Sequence, residues 1–110
     1  MNQFDIDMQS EHAALFEQAR RHLLAFGGLI ETIKPRITTY SNLNGGICHL
    51  RTMPHGIDLG FLKGSKMEDG LKLLTGNGKA IRVLSITKFD EDVVGYYVGQ
   101  AVKLNLSAKL

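Results

Sequence analysis

Cysteine is nearly absent from this chain, tryptophan is wholly absent, and proline occurs only at Pro35 and Pro54. The single cysteine, Cys48, excludes an intrachain disulfide, and with no CxxC pair a cysteine-based zinc site is excluded too. It stands in the apolar run Ile47-Cys48-His49-Leu50, where a free thiol packs as a small buried hydrophobe. No apolar run approaches the ~20 residues needed to cross a bilayer, so no membrane partner is expected. The opening residues, MNQFDIDMQSEH, are acidic and lack the apolar stretch of a secretory signal, which points to the cytoplasm. Apolar residues make up 44% and charged residues 22%, which excludes disorder, collagen-like repeats and low complexity.

What is present suits one domain over residues 1–110. A chain of this size buries roughly 65% of the surface its unfolded form exposes, enough for a core without metal or disulfide support. Charge is unevenly distributed. Residues 1–33 carry two basic and five acidic side chains, residues 34–88 nine and three, and residues 89–110 two and three. A basic middle between acidic ends either attracts an anion or docks on the chain's own helices.

Periodicity gives the elements. Ser10 is a good N-cap, and Leu15, Ala19, Leu23 and Phe26 recur at helical spacing until Gly27-Gly28. Leu29 to Ile33 reads as one or two further helical turns, closed by Pro35. From Ile37 the pattern becomes β-branched, and Asn44-Gly45 signals a hairpin between strands Ile37–Tyr40 and Ile47–Met53. Pro54-His55-Gly56 turns the chain into a strand whose Ile57, Leu59 and Phe61 share a face. Residues 64–78 read as a glycine-punctuated loop pinned by Leu71, Leu73 and Leu74. In the last strand, 80–87, Ile81 and Val83 alternate with Leu84 and Ile86, which predicts cover on both faces. Asp90 caps a final helix with Val94, Tyr97, Val98 and Ala101 as its buried stripe and Phe89–Val94 as a staple. The expected fold is α+β: a two-layer sandwich whose antiparallel sheet of four to five strands carries the N- and C-terminal helices. An exposed sheet edge makes a homodimer an open expectation.

Chemical motifs are few. Cys48 and His49 are strand neighbours and point to opposite faces, so they do not form a nucleophile–base pair. In residues 73–80 Leu73 occupies the first glycine position of a phosphate loop, Ala80 replaces its Ser or Thr, and a strand follows. The four histidines show no ligand spacing. Asp5, Asp7 and Glu11 form an oxygen-rich patch suited to a hard cation or to a solvated helix start. Tyr40, Phe61, Arg51 and Lys63 faintly suggest a base-stacking sheet, but no RNP-like motif occurs and Phe61 is expected in the core, so nucleic acid is disfavoured. No constellation supports an enzyme.

The order Gly60-Phe61-Leu62-Lys63-Gly64, then Asp69-Gly70, then Gly76-Asn77-Gly78-Lys79, then Arg82 on a strand, resembles the YdhG-like domains of unknown function over roughly residues 11–104. The resemblance implies an α+β fold with helices on an antiparallel sheet, in a soluble bacterial protein. One branch of that family is described as frataxin-like iron chaperones, which implies loosely held iron on acidic side chains, here Asp5, Asp7 and Glu11. The same block has a scaffold reading, in which the glycines turn the chain and Asp69 caps the loop or pairs with Arg82 or Lys79. Arg82, among apolar neighbours, calls for a carboxylate or an anionic ligand. Two non-enzymatic functions follow: an iron-handling accessory protein, or a module binding an anionic small molecule or protein through His49, Arg51, Lys63, Lys79 and Arg82.

Overall fold

The computed structural model describes residues 1–107. Two helices, α1 (Gln3–Gln9) and α2 (Ala13–Leu24), precede six strands. These are β1 (Ile30–Ile33), β2 (Thr38–Asn42), β3 (Gly45–Met53), β4 (Gly56–Phe61), β5 (Leu74–Thr75) and β6 (Arg82–Ile86), followed by α3 (Glu91–Ser107). The strands form one antiparallel sheet in the order β1-β2-β3-β4-β6-β5. The α+β expectation holds, with a slightly larger sheet than the four to five strands expected. Among the described residues no helix is long and apolar enough to cross a membrane.

Register explains the core. Cys48 opposes Phe61, Leu50 opposes Leu59, and Leu59 opposes Leu84, so alternate residues of three strands share one face. All five are buried there with Phe16, Ala19 and Leu23 of α2 and Val94, Tyr97 and Val98 of α3. Burial pushes the Cys48 thiol up to about 12, so it is an inert core group. Asp90 caps α3 as expected, its Oδ1 accepting from the N–H groups of Asp92 and Val93 at 3.0 and 3.2 Å. A hairpin is present where Asn44-Gly45 signals one, but its two-residue loop is Leu43-Asn44, since Asn42 pairs with Gly45, which opens β3 at φ +122°, and Asn42 Oδ1 accepts from Asn44 N–H.

Three local expectations are corrected, and one helix is additional to those expected. Residues 30–33 are a strand, because β-branched Ile30, Thr32 and Ile33 pair with β2 once Gly27 and Gly28, at φ +70° and +75°, turn the chain back. Ser10 ends α1 instead of capping α2: its Oγ accepts from His12 N–H, and helical residues begin at Ala13. Helix α1 is additional to the expected elements: Asn2 caps it, its Oδ1 accepting from Asp5 N–H at 2.9 Å, Phe4 meets Phe16 edge-on at 5.8 Å and the Arg20 guanidinium lies over the Phe4 ring at 5.3 Å. Leu71 and Leu73 are exposed, so they do not pin the 64–78 loop. The Asp69 carboxylate does so, accepting from Tyr97 Oη at 2.5 Å and from the N–H groups of Leu73 and Leu74.

Candidate functional site

The helices cover one sheet face, and the other is open. On β3 the open-face residues are His49, Arg51 and Met53, and their cross-strand partners on β4 are Gly60, Asp58 and Gly56. Gly60 opposes Val83 and Asp58 opposes Ser85, so Ile81, Val83 and Ser85 complete the face on the β6 side. The expected cover on both faces of this strand is therefore corrected: Leu84 and Ile86 are buried, whereas Ile81 is 45% exposed.

This surface is concave. A groove of about 360 Å³ is lined by Ile37, His49, Arg51, Met53, Asp58, Gly60, Ile81 and Val83. Gly60 opens its floor; a β-carbon there would meet only Ile81 Cγ2, at 3.9 Å. One oxygen of Asp58 is occupied: its Oδ1 accepts from His55 Nε2 at 2.8 Å and from Ser85 Oγ at 2.9 Å. Arg51 is exposed and has no hydrogen-bond or ion-pair partner among the described residues. Burial, with the charge of Lys34 added, holds the His49 imidazole below its ordinary value, so at neutral pH it is uncharged and both donates and accepts. The groove thus offers the Arg51 cation, the neutral His49 imidazole and, opposite Arg51, the Asp58 carboxylate bonded through one oxygen, within an otherwise apolar lining.

The five basic residues expected in one anion site are separated. His49 and Arg51 share the open face. Arg82 opposes Phe61 and lies on the covered-face parity of Leu84 and Ile86. Its Nη1 donates to the carbonyls of Gly78 at 2.7 Å and Ile81 at 2.9 Å. Backbone carbonyls therefore take the place of the carboxylate or anion expected for Arg82. Lys63 and Lys79 lie at the same end, after β4 and before β6. Of the two roles open to Asp69, the capping role is the one realised, since its bonds go to Tyr97, Leu73 and Leu74. Those hydrogen bonds, Tyr97's first, hold its carboxyl below the usual range, and burial together with Asp69 pushes Tyr97 up to about 12.

The three acidic residues do not converge either. Asp7 is fully buried, and its Oδ1 accepts from Gln3 Nε2 at 2.9 Å, Thr52 N–H at 2.9 Å and Thr52 Oγ1 at 2.7 Å. Asp5 and Glu11 are exposed, the latter 3.4 Å from His12 Nε2. Among the described residues no group of three His, Cys, Asp or Glu is placed to hold a metal ion. Asp7 ties α1 to β3, so Asp7→Ala orphans two donors of Thr52 and is expected to cost about 2–3 kcal/mol. A melting temperature within 2 °C of the parent's (well under ~1 kcal/mol) would contradict that role.

Sequence reasoning found His49 and Arg51 but missed Ile37, Met53, Asp58, Ile81 and Val83. The signal was the apolar residues on both parities of the last strand, which were read as buried on both sides. Comparison of the chain with protein-family models, with curated proteins and with solved structures returned no match.

Proposed function

We propose that the chain is a non-enzymatic, YdhG-like binding module whose open sheet face takes a small amphipathic anion. The ligand class is a carboxylate, sulfonate or phosphate joined to an apolar body. The observation that carries this reading is Arg51, a cation without a partner among the described residues, set beside Ile37, Met53, Ile81 and Val83 in a groove floored by Gly60. An arginine fork pairs two anionic oxygens at once, and the apolar lining supplies contact area for the body. His49 adds a neutral hydrogen-bonding group and does not compete for the anion.

Anilinonaphthalene sulfonate has this chemistry and is the probe of choice. Titration followed by fluorescence and amide chemical shifts is expected to saturate, with shifts confined to β3, β4 and β6. Arg51→Ala removes a charge-assisted hydrogen bond of about 1.5–3 kcal/mol, so affinity should fall roughly 10- to 100-fold. Gly60→Leu fills the floor and is expected to abolish binding, while Lys103→Ala on α3 leaves it unchanged. Equal affinity in the parent and the Arg51 variant would overturn the assignment of the cation, and shifts spread over α3 would overturn the groove.

A further inference from the structure

Strand β1 is one edge of the sheet, four residues long, and its one charge, Glu31, turns inward onto Arg20 and Tyr40. Ile30–Ile33 contains no lysine, proline or bulge, and Ile30 and Ile33 are 53% and 45% exposed. The other edge, β5, is two residues long. In the turn after β1, Lys34 N–H donates to Ile37 O at 3.0 Å. Bonded and non-bonded pairs alternate along an antiparallel ladder, so Thr32–Thr39 and Ile30–Ser41 are bonded pairs. Glu31 and Ile33 therefore direct their N–H and C=O groups outward.

We propose that β1 pairs antiparallel with β1 of a second copy of this chain, about a two-fold axis through Thr32. A symmetric antiparallel pair places residues of the same face opposite each other, so the axis passes through a residue and not between two. Centring on Glu31 sets two carboxylates face to face, and centring on Ile33 brings Pro35, which has no N–H, into the ladder. Centring on Thr32 lets Glu31 and the partner's Ile33 exchange both main-chain bonds, twice over, with threonine against threonine in the middle. In this register each Glu31 faces an isoleucine, and its own charge is met by Arg20 Nε at 2.7 Å. The two six-stranded sheets become continuous, and Ile30 and Ile33 are covered. This inference is independent of the groove reading.

Analytical ultracentrifugation of the full chain is expected to give twice 12.2 kDa at micromolar concentration. Ile33→Pro removes an outward donor without touching a β2 bond, and should sediment at half the parent's mass with unchanged circular dichroism. In a non-bonded antiparallel pair the α-carbons are about 4.5 Å apart, within disulfide reach. Oxidised Thr32→Cys is thus expected to cross-link almost fully, while Thr75→Cys on β5 does not. A parent chain that stays at 12.2 kDa overturns the proposal and leaves the edge to an extended peptide of another protein. A dimer whose Thr32→Cys form stays uncross-linked places the interface elsewhere and overturns it equally. Should Ile33→Pro fail to fold, these two readouts still decide.

Discussion

Gly64→Ala is expected to lower the melting temperature by roughly 10–20 °C while leaving the groove chemistry intact. Gly64 is buried, and a β-carbon there would lie 2.5 Å from Arg82 Cβ, 2.6 Å from its N and 2.9 Å from its Cα. These are mostly backbone atoms, so relief means separating the 64–66 turn from the start of β6. Ser65 N–H donates to Ala80 O at 2.8 Å across the same junction, which opposes that separation. Overpacking at an unyielding site costs about 2–3 kcal/mol, which sets the size of the shift. Thermal unfolding by circular dichroism measures it. A shift under 3 °C (well below ~1 kcal/mol) would show that the junction relaxes and that the glycine is present for another reason. The result also bears on the Gly60–Arg82 block, because a scaffold glycine destabilises when filled whereas a site glycine loses ligand.

Glu31→Ala carries the second large effect. Arg20 clamps the Glu31 carboxylate with Nε at 2.7 Å and Nη2 at 3.0 Å, and the fully buried Tyr40 donates its hydroxyl to the same group at 2.8 Å. Removing the carboxylate leaves the Tyr40 hydroxyl without an acceptor and Arg20 with only Glu17. An orphaned buried hydroxyl costs about 1–3 kcal/mol, and the partly buried ion pair, 27% and 13% exposed, adds a smaller amount after solvent screening and desolvation. A loss of about 2–3 kcal/mol is expected in urea, with most disorder at β1. The pH dependence is specific. Burial pushes the Glu31 carboxyl up, but hydrogen bonds from Arg20 and Tyr40 outweigh it and leave it below the ordinary 4.5. The unfolded chain therefore takes up this proton first as pH falls. Stability from Glu31 is complete above its unfolded value and is lost as pH drops through the lower folded value. The gap between parent and variant should be widest near neutrality and close below pH ~4. A gap that persists unchanged into acid would mean that packing, and not the ionised carboxylate, holds β1.

Much of this architecture follows from local pattern. Strands β3, β4 and β6 are legible because Cys48 and Leu50, Ile57, Leu59 and Phe61, and Leu84 and Ile86 alternate at the period of two that a half-buried sheet requires. Helix α3 is legible because Asp90 starts it and Val94, Tyr97, Val98 and Ala101 recur on one stripe. His49 and Arg51 share a face for the same reason, and Cys48 could be read as core from its neighbours.

Only the tertiary structure decided the rest. Helix α1 and strands β1 and β5 are seven, four and two residues long, too short to be stable alone, so distant partners define them. Asp7 reads as a solvated acid until Thr52 approaches it, and Glu31 as a helix-surface charge until Arg20 and Tyr40 close on it. Arg82 calls for an anion on local grounds, yet the returning loop presents two carbonyls to it. Above all, alternation states that Ile81 and Val83 face away from Leu84 and Ile86, but not which face the helices cover. Three helices suffice for one layer, and they pack on the side holding the larger aromatic and aliphatic set, where burial is worth most. The other side stays open, and the groove at Arg51 is the consequence.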